Sequence, residues 1–177
     1  MQHSPAILIR RRAWGDTSWI TTWLTLEHGK VATMARGAKR PASPFAGKLD
    51  LFYIAEISFI ASRKSSLHTL KEVRVLEPFD ASRISCANVF LCGYFAELTE
   101  LVTEPGSPVA GMFDLLKRAL SHLKDKPATL RALEHFEREL GRGLGIGDAR
   151  SEALSALEAY CGRIPASRAA VLRLLKT

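Results

Sequence analysis

The pattern of the 177-residue chain changes at Pro78. Before this residue, apolar side chains alternate with polar ones or run in short β-branched stretches. After it they recur every three to four positions. A period of two belongs to strands and a period near 3.6 to helices, so one sequence demands two kinds of packing in succession. The first half predicts five strands, over 6–12, 18–27, 30–36, 51–62 and 68–77. Gly15-Asp16 and His28-Gly29 are tight-turn signals between the first three, and 63–66 can close the last two into a hairpin. The third and fourth strands are separated by a basic loop, 37–47, whose Pro41 and Pro44 cannot donate to a ladder. Five short strands with the long connection after the third fit a closed barrel of the OB type.

The second half reads as a helical bundle. Asp80 or Ser82 can cap a helix with the stripe Ile84, Ala87, Leu91, Phe95, Leu98 and Val102, stopped by Pro105-Gly106. Ser107-Pro108 reads as the cap and first residue of a second helix, with Met112, Leu116, Ala119 and Leu123 inward. A third helix from about Pro127 carries Leu130, Leu133, Phe136 and Leu140, and the glycines at 141, 143, 145 and 147 break it. Asp148 can cap a fourth helix through Leu154, Leu157 and Tyr160, and 165–176 supplies a last short one. The fold class expected is α+β, with an OB-type barrel over 1–79 and a helical domain over 80–177.

Charge separates the halves as well. Residues 1–79 hold 12 Lys/Arg against 6 Asp/Glu, net +6, whereas 80–177 hold 13 against 12, net +1. No acidic residue occurs between Glu27 and Asp50, while Lys30, Arg36, Lys39, Arg40 and Lys48 all fall there. Arg10, Arg11 and Arg12 form a second cluster on a strand, where alternation sends Arg10 and Arg12 to one face and Arg11 to the other. Clustered cations without neutralising carboxylates focus positive potential outward, which points to a polyanion. On a Pro/Gly-rich loop beside a barrel, Lys39 and Arg40 can follow a phosphate backbone without demanding base identity. Five phosphate contacts would give a slope of about −3.5 in log K against log salt for a single strand.

Trp14, Trp19 and Trp23 are all of the tryptophans. Trp19 and Trp23 share a strand face with Thr21 and Thr25, opposite Ile20, Leu24 and Leu26, and the aliphatic face better suits a barrel core. The indoles then either stack on bases or pack against the helical domain. Cys86, Cys92 and Cys161 make an odd number without a Cys-x-x-Cys, which argues against a disulfide framework or a zinc ribbon; Cys86 and Cys92 read as buried free thiols on different helix faces. The five histidines show no metal-ligand spacing, and no phosphate-binding loop, nucleophile elbow or zinc-protease motif occurs. The expectation is a binding protein that is not an enzyme and has no cofactor. The start of the chain lacks the basic, apolar, cleavable order of a signal peptide, and no stretch suits a membrane span, so a cytoplasmic location is expected.

The stretch from Thr25, TLEHGKVATMARGAKRPASPFAGKLDLF, resembles the signature of the bacterial RecO family of recombination mediators. The preceding ILIRRRAWGDTSWI is similar to that family's first hairpin, and FDLLKRAL and FERELGRGLG are similar to pieces of its helical domain. The resemblance implies binding of single- and double-stranded DNA and annealing of complementary strands. It also implies action with RecR, with or without RecF, to displace the single-stranded DNA-binding protein and load RecA, in a nucleoid-associated bacterial protein. By position, Arg36, Lys39, Arg40 and Lys48 become the expected DNA contacts, joined on the charge argument by Arg10, Arg12 and Lys30. Many relatives carry a four-cysteine zinc module after the segment corresponding to 140–147; here only Cys161-Gly162 is similar to it. Recognition of the single-stranded DNA-binding protein's acidic tail would need an apolar pocket rimmed by Lys/Arg in the helical domain. A second reading is a protein adaptor that docks RecR-like or ssDNA-coating partners with little DNA contact of its own.

Overall fold

The structure, a computed structural model, describes residues 1–146 and 152–176. Five strands form a closed barrel: β1 (Gln2–Trp14), β2 (Ser18–Thr25), β3 (Gly29–Ala35), β4 (Ile54–Ile60) and β5 (Leu67–Glu77). Their order around the barrel is β1-β2-β3-β5-β4, and β4 returns to pair with β1. All pairings are antiparallel except β3 with β5, which meet in parallel over Ala32–Met34 and Leu67–Thr69. This is the OB-type barrel that the five-strand pattern predicts. The helices are α1 (Cys86–Val102), α2 (Met112–Asp125), α3 (Leu130–Gly143), α4 (Ala153–Cys161) and α5 (Ser167–Leu174), and a 3-10 turn at Ala81–Arg83 precedes α1.

The chain divides into two compact units. One is Met1–Phe79 together with Thr103–Pro108, and the other is Asp80–Val102 with Val109–Thr177. The short strap 103–108 lies along the start of β3, where Pro105 bridges Gly29 and Lys30, and Gly106 N–H donates to Lys30 O (3.4 Å). Gly29, at φ +61°, makes room for it: a Cβ there would stand 2.5 Å from Ser107 O. Ser107-Pro108 therefore does not open the second helix. That role falls to Gly111, left-handed at φ 75°, and α2 begins at Met112 without a side-chain cap. The fourth strand also starts late, at Ile54 instead of 51. Phe52 is left-handed (φ 68°), and Tyr53 N–H closes a turn onto Asp50 O (3.3 Å). Such a backbone costs a non-glycine residue about 1–2 kcal/mol. Phe52 N–H donates to Leu8 O (2.8 Å) and its ring lies edge-on to Phe79 (5.1 Å), contacts that offset the cost.

The barrel core is built from Ala6, Leu8, Trp23, Val31, Ala35, Phe45, Leu49, Ala55, Ile57, Phe59, Leu70 and Val73, with Trp19 partly buried against it. The expected face of β2 is thus inverted. Trp23 is fully buried in the barrel core, where no base can reach its ring. Its indole N–H donates to the hydroxyls of Thr21 (2.9 Å) and Thr33 (3.1 Å), which are themselves hydrogen-bonded (2.7 Å). Thr21 and Thr33 supply the acceptors that a buried indole N–H needs, which is why the threonine face is the core face.

In the helical unit Leu91, Phe95, Leu98, Leu116, Leu123, Leu133, Phe136, Leu140, Leu157 and Val171 are buried, following the predicted stripes. Leu130 and Tyr160 are exposed instead, at the ends of their helices. Ser85 takes the capping role at α1, its hydroxyl accepting from Asn88 N–H (3.1 Å). Buried Asn88 donates to Leu123 O (2.6 Å) and Lys126 O (2.8 Å) and accepts from Ala128 N–H (2.8 Å), closing the end of α2 onto α1. Glu137 on α3 accepts from Tyr94 OH (2.5 Å) and from Arg168 Nε (2.7 Å), joining α1, α3 and α5. Burial first, then Glu137, holds the Tyr94 hydroxyl well above its ordinary pKa. Cys92 is buried and its thiol is pushed up to about 12 by burial, whereas Cys86 is exposed, since it begins α1. The expected Asp148 cap lies outside the described residues.

Candidate nucleic-acid interface

The basic loop after β3 is fixed to the first hairpin by its own backbone. Lys39 N–H donates to Thr17 O (2.9 Å), Gly37 N–H to Ser18 Oγ (3.3 Å) and Arg40 N–H to Gly37 O (3.0 Å). Gly37 adopts φ +68°, and a Cβ there would lie 3.7 Å from Arg40 Cδ, so the Arg40 stem crosses over the glycine. The result is a cleft of about 470 Å³ lined by Trp14, Thr17, Ser18, Met34, Arg36, Gly37 and Arg40. Arg12, on β1, reaches the Trp14 wall of this cleft, its guanidinium 5.8 Å from the centre of the ring. Arg12, Arg36 and Arg40 are all exposed.

Beside the cleft, at the barrel mouth, Trp19 is contacted by Arg11 (4.6 Å) and by Lys39 (4.9 Å). Arg11 also donates to Leu49 O and pairs with Asp50 (3.6 Å), and Lys39 Nζ donates to Gly15 O (2.8 Å). These two cations close the mouth and brace the loop.

Of the three arginines on β1 the structure turns Arg11 over Trp19 at the mouth and Arg12 over Trp14, while Arg10 stands opposite Thr22. The bulge between Leu8 and Arg10 explains this: Ile9 is an extra residue, so the inward parity of Ala6 and Leu8 continues at Arg11. Lys30 is the second residue of β3, and Arg36 directly follows the strand's other end, about 20 Å away at 3.3 Å per residue. Lys48 lines another groove, of about 530 Å³, whose charges are mixed: Lys48, Lys71 and Arg74 face Glu27, Glu56 and Glu72. Of the seven expected contacts, then, Arg36 and Arg40 line the cleft, Arg12 stands over its Trp14 wall, Lys39 braces it, and Arg10, Lys30 and Lys48 lie elsewhere. Sequence reasoning missed Arg11 and Trp14. The signal for Trp14 was its place at the end of a strand before Gly15, where no core residue is needed.

The helical unit holds a cavity of about 540 Å³ between α2 and α3. Phe95, Leu115, Leu123 and Phe136 form its apolar floor, and Arg118, Arg131, His122 and His135 its rim, with Glu139 the one carboxylate of the lining. Among the described residues no helix is long and apolar enough to cross a membrane.

Residues 1–79 match the family described as Recombination protein O N terminal, and residues 84–147 match Recombination protein O C terminal. The chain belongs to the Recombination protein O family. Similar curated proteins are named DNA repair protein RecO. One from Rhodopirellula baltica is 28% identical over 158 residues, covering 89% of this chain and 57% of the relative. A second, from Bacillus pumilus, is 34% identical over 125 residues, 69% of this chain and 47% of the relative. A third, from Xanthomonas campestris pv. campestris, is 30% identical over 148 residues, 83% of this chain and 60% of the relative. The chain thus spans about half to three-fifths of the length of the curated relatives it matches.

Proposed function

We propose that this protein is a DNA repair and recombination mediator whose barrel binds DNA and anneals complementary strands, acting with RecR, and with RecF, to load RecA onto coated single strands. The observation that carries this reading is the pair Arg36 and Arg40 lining one cleft, at a loop clear of carboxylates and braced by the barrel, with Arg12 of β1 over the Trp14 wall of that cleft. It accords with the name of the relatives, DNA repair protein RecO. Three phosphate contacts give an expected slope of roughly −2 in log K against log salt for a single strand. Anisotropy of a labelled oligonucleotide measures it, and the double reversal Arg36→Glu/Arg40→Glu is expected to flatten the slope by about 1.4. A flat response in the parent chain, or a reversal that leaves affinity unchanged, refutes the reading.

The helical cavity favours a partner contact in addition. An apolar floor rimmed by Arg118 and Arg131 suits a short acidic peptide ending in hydrophobic residues, such as the tail of the single-stranded DNA-binding protein. Under the adaptor reading this contact is primary. Pull-down of that protein would then survive the Arg36/Arg40 reversal, annealing would be absent, and Arg118→Glu would abolish capture.

A further inference from the structure

Trp14 is the one tryptophan without a place in the barrel. Trp23 is fully buried and Trp19 is packed against the core under two cations, while the Trp14 indole is 53% exposed. It forms a wall of the cleft that Arg36 and Arg40 also line. The neighbours hold still. Gly15, directly after Trp14, keeps its carbonyl bonded to Lys39 Nζ, Thr17 O accepts from Lys39 N–H, and Ser18 Oγ accepts from Gly37 N–H. These bonds tie the backbone that follows Trp14 to the basic loop, so the indole and the two arginines are carried on one connected piece of structure.

From these observations we infer that Trp14 is a stacking platform for one unstacked nucleobase, with Arg36 and Arg40 receiving the flanking phosphates. This rests on the DNA-binding reading above and adds a selection to it. An indole offers a π-face that any base can cover, so the site is indifferent to sequence. In a duplex both faces of each interior base are covered by neighbours, so only a single strand, a gap edge or an end presents a base to Trp14. The arginines alone would hold either polymer; the indole makes the cleft prefer the open one. Arg12, over the ring at 5.8 Å from its centre, adds a cation for a passing phosphate and yields that position when a base takes the same face.

The test uses the full chain with a labelled oligothymidylate, the same strand containing abasic residues, and a covalently closed circular duplex, which has no ends. Trp14→Ala is expected to weaken oligothymidylate binding about tenfold while leaving duplex affinity and the salt slope unchanged. Trp14→Phe is expected to restore most of the loss. The parent chain is expected to bind the abasic strand about as weakly as Trp14→Ala binds the normal one. Equal losses on single strand and duplex, or parent affinity undiminished by abasic residues, overturn the stacking role while DNA binding stands. A parent chain that binds neither polymer at low salt overturns both the stacking role and the reading beneath it.

Discussion

Arg168→Met tests how the helical unit is held together. The Arg168 guanidinium donates through Nε to Glu137 Oε1 (2.7 Å) and through Nη2 to Oε2 (3.2 Å), and the Glu137 side chain is only 3% exposed. Methionine keeps most of the length and packing of the arginine stem but removes the charge. It leaves a carboxylate in the interior with the Tyr94 hydroxyl still donating to it. Breaking one side of a buried pair costs about 3–5 kcal/mol. Arg168 itself is 19% exposed, so water can reach part of the site, and the lower end, about 3 kcal/mol, is expected. For a helical unit of about 90 residues that is a fall in Tm of roughly 12–24 °C. Thermal unfolding of the full chain, followed by the helical signal in circular dichroism, measures it. Glu137→Gln/Arg168→Met should recover most of the loss, because a neutral amide still accepts from Tyr94 and no longer needs a cation. A single variant within about 0.5 kcal/mol of the parent, or a double variant as unstable as the single, would show that the triad does not hold α1, α3 and α5 in the way argued.

Three further outcomes are expected. Asn88→Ala removes the donor to Leu123 O and Lys126 O and the acceptor for Ala128 N–H; it should cost about 2–3 kcal/mol in urea unfolding, against under 1 for the exposed Asp114→Ala. His68 is held below its ordinary pKa of 6.5 by burial and then by His28, so the unfolded chain takes up its proton first as pH falls. Its contribution to stability is therefore present above about pH 7 and is lost as pH drops through 6.5, and a barrel melting temperature that depends less on pH in His68→Gln checks the sign. Gly29→Ala drives a Cβ to 2.5 Å from Ser107 O at a backbone of φ +61°, and a loss of about 2 kcal/mol or more is expected, with faster hydrogen exchange at Gly106 N–H.

Much of the fold was legible because period two and period 3.6 leave different traces, and the strands deviate from the sequence reading mainly at their ends. β2 was legible as a strand but not as to its faces. Ile20, Thr21, Trp23, Leu24 and Thr25 are all buried, so alternation of polarity carried no information about which side was inward. The hydrogen-bonding needs of the Trp23 indole decided it, and those depend on Thr33 of a neighbouring strand. The basic cleft was half legible. A long run without carboxylates marked Arg36 and Arg40, yet Lys30 and Lys48 belong to the same run and are carried elsewhere by strand length and by the path of the loop. The cavity between α2 and α3 left no mark, since its rim is assembled from Arg118 and Arg131, on separate helices.

The extra residue at Ile9 acts like a frame shift in the strand. Three consecutive arginines carry the same total charge in any register, but an uninterrupted β1 would aim two guanidinium groups at the mouth and one outward, whereas the bulged strand aims one inward and two away. Two cations facing Trp19 with Lys39 already there would repel one another over a single indole; one fits, and Asp50 balances it. What decides where positive charge is available on this barrel is therefore a count of backbone residues, and a variant that kept every arginine but lost the bulge would keep its isoelectric point and change its surface.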